Sequence, residues 1–597
     1  MLPELPFREI WAVDFEFHDQ GRPGNQQFPV CMVAKELRSG HVIRVSRDEL
    51  VDMEVPPFDI GANSLFVAYL ASAELHCFLV LGWTLPENIL DCFVEFRTLT
   101  NGRSTPRGRS LLGALSWFNI DTISTEEKTK WRDLILSGGP WSHDEQIGIL
   151  DYCQTDVDAL DKLLPPLVRS LETRPHWLAH ALLRGRYMRS VAAMEYRGIP
   201  LDGGVLERLG ERWDYLKTEL IVRICSKFPV FDGATFKQDR FEALLVEHGV
   251  PWPRTDTGRP ALDKETFRQQ VRAHAWLAPI REARDNLAQM RLSSLSVGED
   301  GRNRTLLGVF GAKTGRNTPS NSKSIFGPSA WLRSLIRPMP GTGLAYVDYS
   351  SQEVAIAAKL SGDRKMLQGY ANGDPYLDFA IRAALAPANA TRASHGVERD
   401  ICKTVVLGVQ FGMREKTLAG RIGAIPYRGK QLLRAHEEAY PGYWKWTQDV
   451  GNFASLYGYL DTVFGWRFHI GADTRPTTIT NFPMQANGAE MLRLACAMAY
   501  EDGLAIAAPV HDAILLEASL EDLDRDVARL REIMTEAGRV VLDGFPVRTE
   551  AEVVRWPHRY SDPRGAHMWQ LVSELADLDP VTGVPHTDTH VLPPLSL

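Results

Sequence analysis

Two aspartates and two cations in the C-terminal half have types and spacing suited to phosphate chemistry. In LAYVDYSSQE an apolar strand ends in Asp348, which puts a carboxylate at the rim of a sheet. In LAIAAPVHDAILLEA two apolar runs flank His511-Asp512, the pattern of a hairpin with the acid at its tip. Aspartates on neighbouring strands can hold two Mg2+ ions, and ions about 3.5–4 Å apart activate an attacking hydroxyl and stabilise a leaving phosphate oxygen. Taken singly, each aspartate is more often a turn or rim residue. In RDICKTVVLGVQFGM, Arg399 and Lys403 stand four apart on one helix face and cannot pair with each other. Two adjacent cations suit a polyphosphate, or else form a solvated basic face.

A second set of acids lies near the N-terminus. In IWAVDFEF, Trp11, Val13, Phe15 and Phe17 alternate with Ile10, Ala12, Asp14 and Glu16. On a strand, Asp14 and Glu16 then project from one face, with an apolar face behind. The same pattern fits a half-exposed edge strand. In DYCQTDVDAL, Tyr152 and Asp156 are four apart, on one side of a helix.

The elements that must position these residues follow from pattern. With 597 residues the chain is too long for one core. Strand-like runs separated by helices, residues 7–100, begin an α/β domain ending near Ser170. A helical stretch runs from about His176 to Ser296, and another from the GLAYVDYS strand to about Tyr457. Residues 458–556 mix strands and helices. The tail after Trp569 is polar and Pro-rich, and its last part is expected to be disordered.

Net charge is −8, which does not advertise a nucleic-acid binder. Yet Arg302, Arg304, Lys313, Arg316, Lys323, Arg333 and Arg337 follow one another with no acid among them. On charge alone, a solvated basic loop is the favoured reading over a phosphate-neutralising patch. No apolar run approaches the roughly 20 residues of a membrane span. The N-terminus lacks a secretory pattern, and the seven cysteines form no C-x-x-C pair, so a cytoplasmic setting without disulfides or zinc is expected.

The three C-terminal segments, in this order, resemble the polymerase motifs of family A DNA polymerases, most closely phage-type members. VDYSSQE is similar to the first motif, R-x3-K-x7-FG to the second and VHDA to the third. MEYRGIPLD at 194–202, TGR at 314–316, AYPGYW and NFPMQANGAE also have family counterparts. The resemblance implies that Asp348 and Asp512 bind metal and that Arg399 and Lys403 hold a triphosphate, with Lys403 able to protonate departing pyrophosphate. It places Glu353 against the sugar 2′ position and Tyr349, Leu407 and Phe411 around the incoming nucleotide. It puts His511 at the primer terminus, with Arg316, Asn481 and Gln485 reading minor-groove acceptors, which are nearly alike for every correct pair. Three positions depart from the family: Ala513 replaces a common Glu, Leu407 replaces Phe or Tyr, and Phe411 replaces Tyr.

D-x-E early and Y-x3-D late resemble the DEDD-type proofreading exonucleases, tyrosine variant. The resemblance implies Asp14, Glu16 and Asp156 as metal ligands and Tyr152 as the residue orienting the attacking water. FVAYLASAEL falls where the family's middle motif belongs and offers Glu74 instead of Asp, and NILDCFVEF resembles the segment downstream of it.

The implied fold is α/β and multidomain: a ribonuclease H-like exonuclease followed by a right-hand polymerase of palm, fingers and thumb. The expected limits are 1–172 for the exonuclease, 173–310 for thumb and connecting helices, 311–365 and 458–570 for the palm, 366–457 for the fingers and 571–597 for the tail. With Asp14 already in the exonuclease, no N-terminal 5′-nuclease is expected. The implied activity is template-directed DNA synthesis with 3′→5′ proofreading, using two Mg2+ per active site, a DNA primer-template and deoxynucleoside triphosphates. The competing readings are a single-subunit RNA polymerase, opposed by Glu353 and the exonuclease motifs, and an exonuclease fused to an inactive DNA-binding module, opposed by joint retention of Asp348, Asp512, Arg399 and Lys403. No processivity partner is marked in the sequence.

Overall fold

Alternating apolar residues in the first hundred positions build a five-stranded sheet. Its strands are β1 (Glu9–His18), β2 (Phe28–Glu36), β3 (Val42–Ser46), β4 (Ser64–Ala68) and β5 (Ile89–Asp91). A computed structural model describes residues 4–121, 125–290, 292, 295–327 and 329–583; the end of the tail, expected to be disordered, lies outside the described residues. The strand order is β3-β2-β1-β4-β5. β1 pairs antiparallel with β2 and parallel with β4, so it is a central strand and the edge-strand reading fails. Ile10, Ala12 and Val13 are buried completely.

Around this sheet stand α1 (Ser72–Val80), α2 (Cys92–Thr100), α3 (Thr125–Leu136), α4 (His143–Leu171) and α5 (Trp177–Arg197). α4 opens with a capping box in which Ser142 and Glu145 satisfy each other's backbone N–H groups. Its buried stripe, Ile149, Cys153, Val157, Leu160 and Leu164, recurs at three- and four-residue steps.

A second sheet comprises β6 (Thr342–Tyr349), β7 (Ile506–Val510), β8 (Ala513–Ser519) and β9 (Thr549–Arg555), in the order β7-β8-β6-β9. The helices α6 (Gln352–Ser361), α7 (Pro375–Arg382), α8 (Gly396–Gln410), α9 (Pro441–Tyr457), α10 (Pro476–Glu501) and α11 (Leu523–Val541) belong to this half. α10 is buried over much of its circumference, through Phe482, Met484, Ala486, Met491, Ala495 and Cys496.

The chain divides into two compact units: Met1–Arg197, Leu306–Thr318 and Ala345–Glu552 form the first, and Gly198–Thr305, Pro319–Leu344 and Val553–Leu597 the second. Both sheets lie mainly in the first unit. There, Arg184 of α5 makes a two-pronged bond to Glu95 of α2, with both contacts at 2.7 Å, and its remaining nitrogen donates to the Phe464 carbonyl at 3.0 Å. Both side chains are buried, at 5% and 1% exposure.

The second unit corrects the reading of the basic stretch as a solvated loop. Arg333 is buried against Asp562 at 2.6 Å, Arg304 pairs with Asp300 at 2.8 Å, and Arg337 with Asp202 at 2.9 Å. Asp300 stands just before the stretch, but Asp202 and Asp562 come from distant segments that composition within a window could not reveal. All seven cysteines are buried and free. Among the described residues no helix is long and apolar enough to cross a membrane.

The Arg184–Glu95 pair yields a stability test. Arg184→Met leaves a buried carboxylate unpaired and should cost about 3–5 kcal/mol in urea unfolding, whereas Arg184→Met with Glu95→Leu should recover most of that loss. Equal stability of the single variant and the parent would show that the pair is not what joins these elements.

Candidate active sites

β6 delivers Asp348 near its end, and the chain then turns sharply. Ser351 takes a left-handed conformation (φ 53°) before α6 begins. The neighbouring hairpin turns through His511, also left-handed (φ 60°), and Asp512. A non-glycine residue held there costs about 1 kcal/mol or more, so the surrounding strands must impose the conformation. The Tyr349 N–H donates to the Asp512 carbonyl at 3.4 Å, which fixes one turn beside the other.

The Asp348 carboxyl is close enough to that of Asp512 to interact with it. Burial, reinforced by Asp512 and then by Glu550, pushes its pKa up to about 7. Its Oδ1 is buried with no hydrogen-bond partner among the described residues, an orphaned acceptor of the kind that a cation satisfies. Glu550 of β9 was not anticipated from sequence; it accepts from the Ser350 hydroxyl at 2.9 Å. Ala513 is fully buried in β8, so the additional acid near Asp348 comes from β9 rather than from the hairpin.

α8 carries Arg399, Lys403, Leu407 and Phe411 at four-residue steps along one stripe and its C-cap. Arg399 is not a free cation: it binds Asp374 at 2.5 Å and Asp400 at 3.0 Å. Asp374 caps α7 by accepting the Tyr376 and Leu377 N–H groups, so Arg399 is oriented by a rigid partner. Lys403 is exposed, within 5.8 Å of the Tyr376 ring centre, and has no acidic partner among the described residues. Phe411 is 40% exposed and Leu407 half-buried.

One expectation needs correction. Tyr349, expected at the nucleotide, is buried, and its hydroxyl donates to the Met534 carbonyl at 2.7 Å, so its ring belongs to the core. β6 stops at Tyr349, and Glu353 sits in the first turn of α6. There it accepts from Arg316 Nη2 at 3.1 Å. The TGR segment that presents Arg316 is held by backbone acceptors. Trp466 Nε1 donates to the Lys313 carbonyl at 2.9 Å and Arg493 to the Gly315 carbonyl at 2.7 Å. Gly315 has φ 74°, where a side chain would be strained. Asn481 and Gln485 lie half-buried, one turn apart on α10, and His511 is exposed at the hairpin tip.

The N-terminal acids converge as well. Asp14 and Glu16 lie on β1 opposite Val33 and Cys31, and β1 bulges directly after Glu16. Glu74, in the first turn of α1, is 4% exposed and accepts the Phe15 N–H at 2.8 Å, which draws it between the two β1 acids. Asp91 positions this turn: its buried carboxylate accepts the N–H groups of Leu70, Ala71, Phe93 and Val94 at 2.8–3.2 Å. That role explains why NILDCFVEF accompanies Glu74.

Tyr152 and Asp156 approach from α4. Burial, then the charge of Asp156, pushes the Asp14 pKa up to about 8, with Lys128 and a Cys153 hydrogen bond opposing. Glu16 and Glu74 are held well above the usual carboxylate range, first by burial and then by Asp14. Ligand atoms of Asp14, Glu16 and Cys153 lie within 4.8 Å of one another. The Cys153 thiol donates to Asp14 at 3.3 and 3.5 Å and burial keeps it protonated, so the oxygens are the candidate ligands for a hard cation.

Sequence reasoning missed Lys128, Asp374 and Glu550 because each meets its partner from a distant segment, and missed Asp91 because a buried cap has no catalytic spacing.

The sequence pattern of DNA polymerase family A matches residues 254–555. A DNA polymerase of Mycobacterium phage D29 is 26% identical over 65% of this chain and 64% of its own length. DNA polymerase I of Chloroflexus aurantiacus is 24% identical over 67% of this chain and 45% of its own length. The chain thus spans less than two thirds of either relative. The solved POL domain of Pol1 from M. smegmatis, in complex with DNA primer-template and dNTP, superposes with a TM-score of 0.72 at 19% identity, covering 92% of this chain and 96% of that one. The fold is therefore that of a Pol1 polymerase domain, and since the family pattern covers half of the sequence, this chain belongs to DNA polymerase family A.

Proposed function

We propose that this protein is a template-directed DNA polymerase that extends a primer 3′ end with deoxynucleotides and removes 3′ nucleotides at a second, exonuclease centre. The observation that carries the reading is the juxtaposition of Asp348 and Asp512, with a buried unpartnered oxygen, in the same unit as α8 and its Arg399 and Lys403. Asp348 and Asp512 fit a pair of Mg2+ ions, as do Asp14, Glu16, Glu74 and Asp156. Divalent ions bound there would supply Lewis acidity and neutralise phosphate charge.

The chain's own residues do the rest. Lys403, with no acidic partner among the described residues, takes the triphosphate and can return a proton to departing pyrophosphate. Arg399, braced by Asp374, adds fixed positive charge beside it. Phe411 offers an exposed ring beside the templating base, and Leu407 an apolar contact to the sugar. Arg316, Asn481 and Gln485 test minor-groove geometry, and His511 meets the primer end. Tyr152 orients the water at the exonuclease centre. The strand order β3-β2-β1-β4-β5 supports a ribonuclease H-like reading of that domain. The proposed partners are a DNA primer-template and deoxynucleoside triphosphates. The phage and bacterial relatives favour work in the cytoplasm of a bacterial or phage-infected cell.

The two centres should separate by mutation. Asp512→Ala should abolish primer extension and spare 3′ nucleotide removal, and Asp14→Ala with Glu16→Ala should do the reverse. Primer extension by Asp512→Ala at near the parent rate would refute the assignment of that centre.

The proposed role of Glu353, which Arg316 holds, is to exclude a 2′-hydroxyl. Glu353→Ala should raise ribonucleotide insertion relative to deoxynucleotide by at least about tenfold, or roughly 1.4 kcal/mol. An unchanged ratio with normal deoxynucleotide insertion would leave Glu353 as a favourable acid in the first turn of α6.

The raised acid pKa values predict a pH dependence. Asp14 titrates near 8 in the metal-free fold instead of 3.8, so it stabilises that fold below pH about 4 and loses that contribution as pH rises through 8. Cation binding needs the ionised form, so the Mn2+ concentration giving half-maximal exonuclease rate should fall between pH about 6 and about 8. A midpoint independent of pH would show that Asp14 is already ionised.

A further inference from the structure

Lys128 of α3 binds both carboxylate oxygens of Asp156, at 2.9 and 2.7 Å. Among the described residues, Asp14, Glu16 and Glu74 have no salt bridge to lysine or arginine, and this ammonium is the only such partner of Asp156. It also lies 5.8 Å from the Tyr152 ring centre, inside the same cluster. We infer that Lys128 is a resident counter-ion of the exonuclease centre, which a divalent cation must displace from Asp156, so that Lys128 sets how tightly this centre holds metal. The inference rests on the exonuclease reading above.

The geometry gives the reason. Metal ligation through the two oxygens that Lys128 spans competes with the ammonium for their lone pairs, and two cations crowded on one carboxylate repel each other. The pair is partly open to solvent, with exposures of 26% for Lys128 and 13% for Asp156. A four-carbon stem lets the ammonium swing into water without disturbing α3. The four acids need positive charge whether or not metal is present, and a tethered lysine supplies some of it in the metal-free protein. Lys128 is in this sense a positioning residue for Asp156.

The test uses the full chain carrying Asp348→Ala and Asp512→Ala, which removes the other acid pair, and follows free Mn2+ by electron paramagnetic resonance. Adding Lys128→Ala should tighten Mn2+ binding about fivefold, the equivalent of ~1 kcal/mol for a partly exposed pair. Lys128→Arg, which keeps the charge, should stay near the parent value. Metal-free Lys128→Ala should also melt lower than its parent, with Mn2+ closing the gap. Lys128→Gln, neutral and similar in length, gives the same test should the alanine variant fold poorly. Unchanged or weaker Mn2+ binding in the folded neutral variants overturns the inference. A control with Asp14→Ala and Glu16→Ala separates the two failures. If the control abolishes Mn2+ binding while the neutral Lys128 variants do not tighten it, only the inference falls. If the control leaves Mn2+ binding intact, the exonuclease reading falls, and the inference with it.

Discussion

Carboxylates that repel one another, held together at two places, are the constraint that organises this molecule. Two like charges about 4 Å apart cost roughly 4 kcal/mol at an effective dielectric near 20. Burial first, and that repulsion after it, raises the pKa values of Asp348, Asp14, Glu16 and Glu74. A loose scaffold would let the acids drift apart. Here each is fastened to a buried element: Asp348 to the interior strand β6, Asp14 and Glu16 to the central strand β1, and Glu74 to the turn capped by Asp91. Large apolar cores and buried pairs such as Arg184–Glu95 hold those elements still.

The positive charge is distributed with the same economy. In a chain of net charge −8, where acids outnumber cations, Arg304, Arg333 and Arg337 are tied to acids of their own unit. Those arginines stabilise the fold. Lys403 stands apart, exposed beside the Tyr376 ring, and it is this exposure that supports the proposed role of meeting an incoming anion. Arg399 shares its stripe but is anchored by Asp374, so of the two it is the one whose direction is preset. Arg316 and Glu353 form a comparable pair, in which each long side chain limits the freedom of the other.

Much of the site was legible in short windows. The strand ending at Asp348, the His511-Asp512 turn and the Arg399–Lys403 helix all have local signatures, because hydrophobic period and turn chemistry act over a few residues. The same holds for Asp14 and Glu16 on one strand and for Tyr152 and Asp156 on one helix. Where local pattern was ambiguous, it misled. Tyr349 lies next to a site residue in sequence, but strand alternation turns its side chain to the opposite face, under α11.

The sequence by itself therefore determined the element types, the two acid sets and the family to which the chain belongs. Only the tertiary structure decided which charges meet. Lys128 on Asp156, Glu550 beside Asp348, Asp374 on Arg399 and Asp91 under Glu74 are pairings between segments far apart in the chain. Such contacts depend on how packed elements bring side chains within a few ångströms, and electrostatic interaction follows that distance rather than separation along the chain.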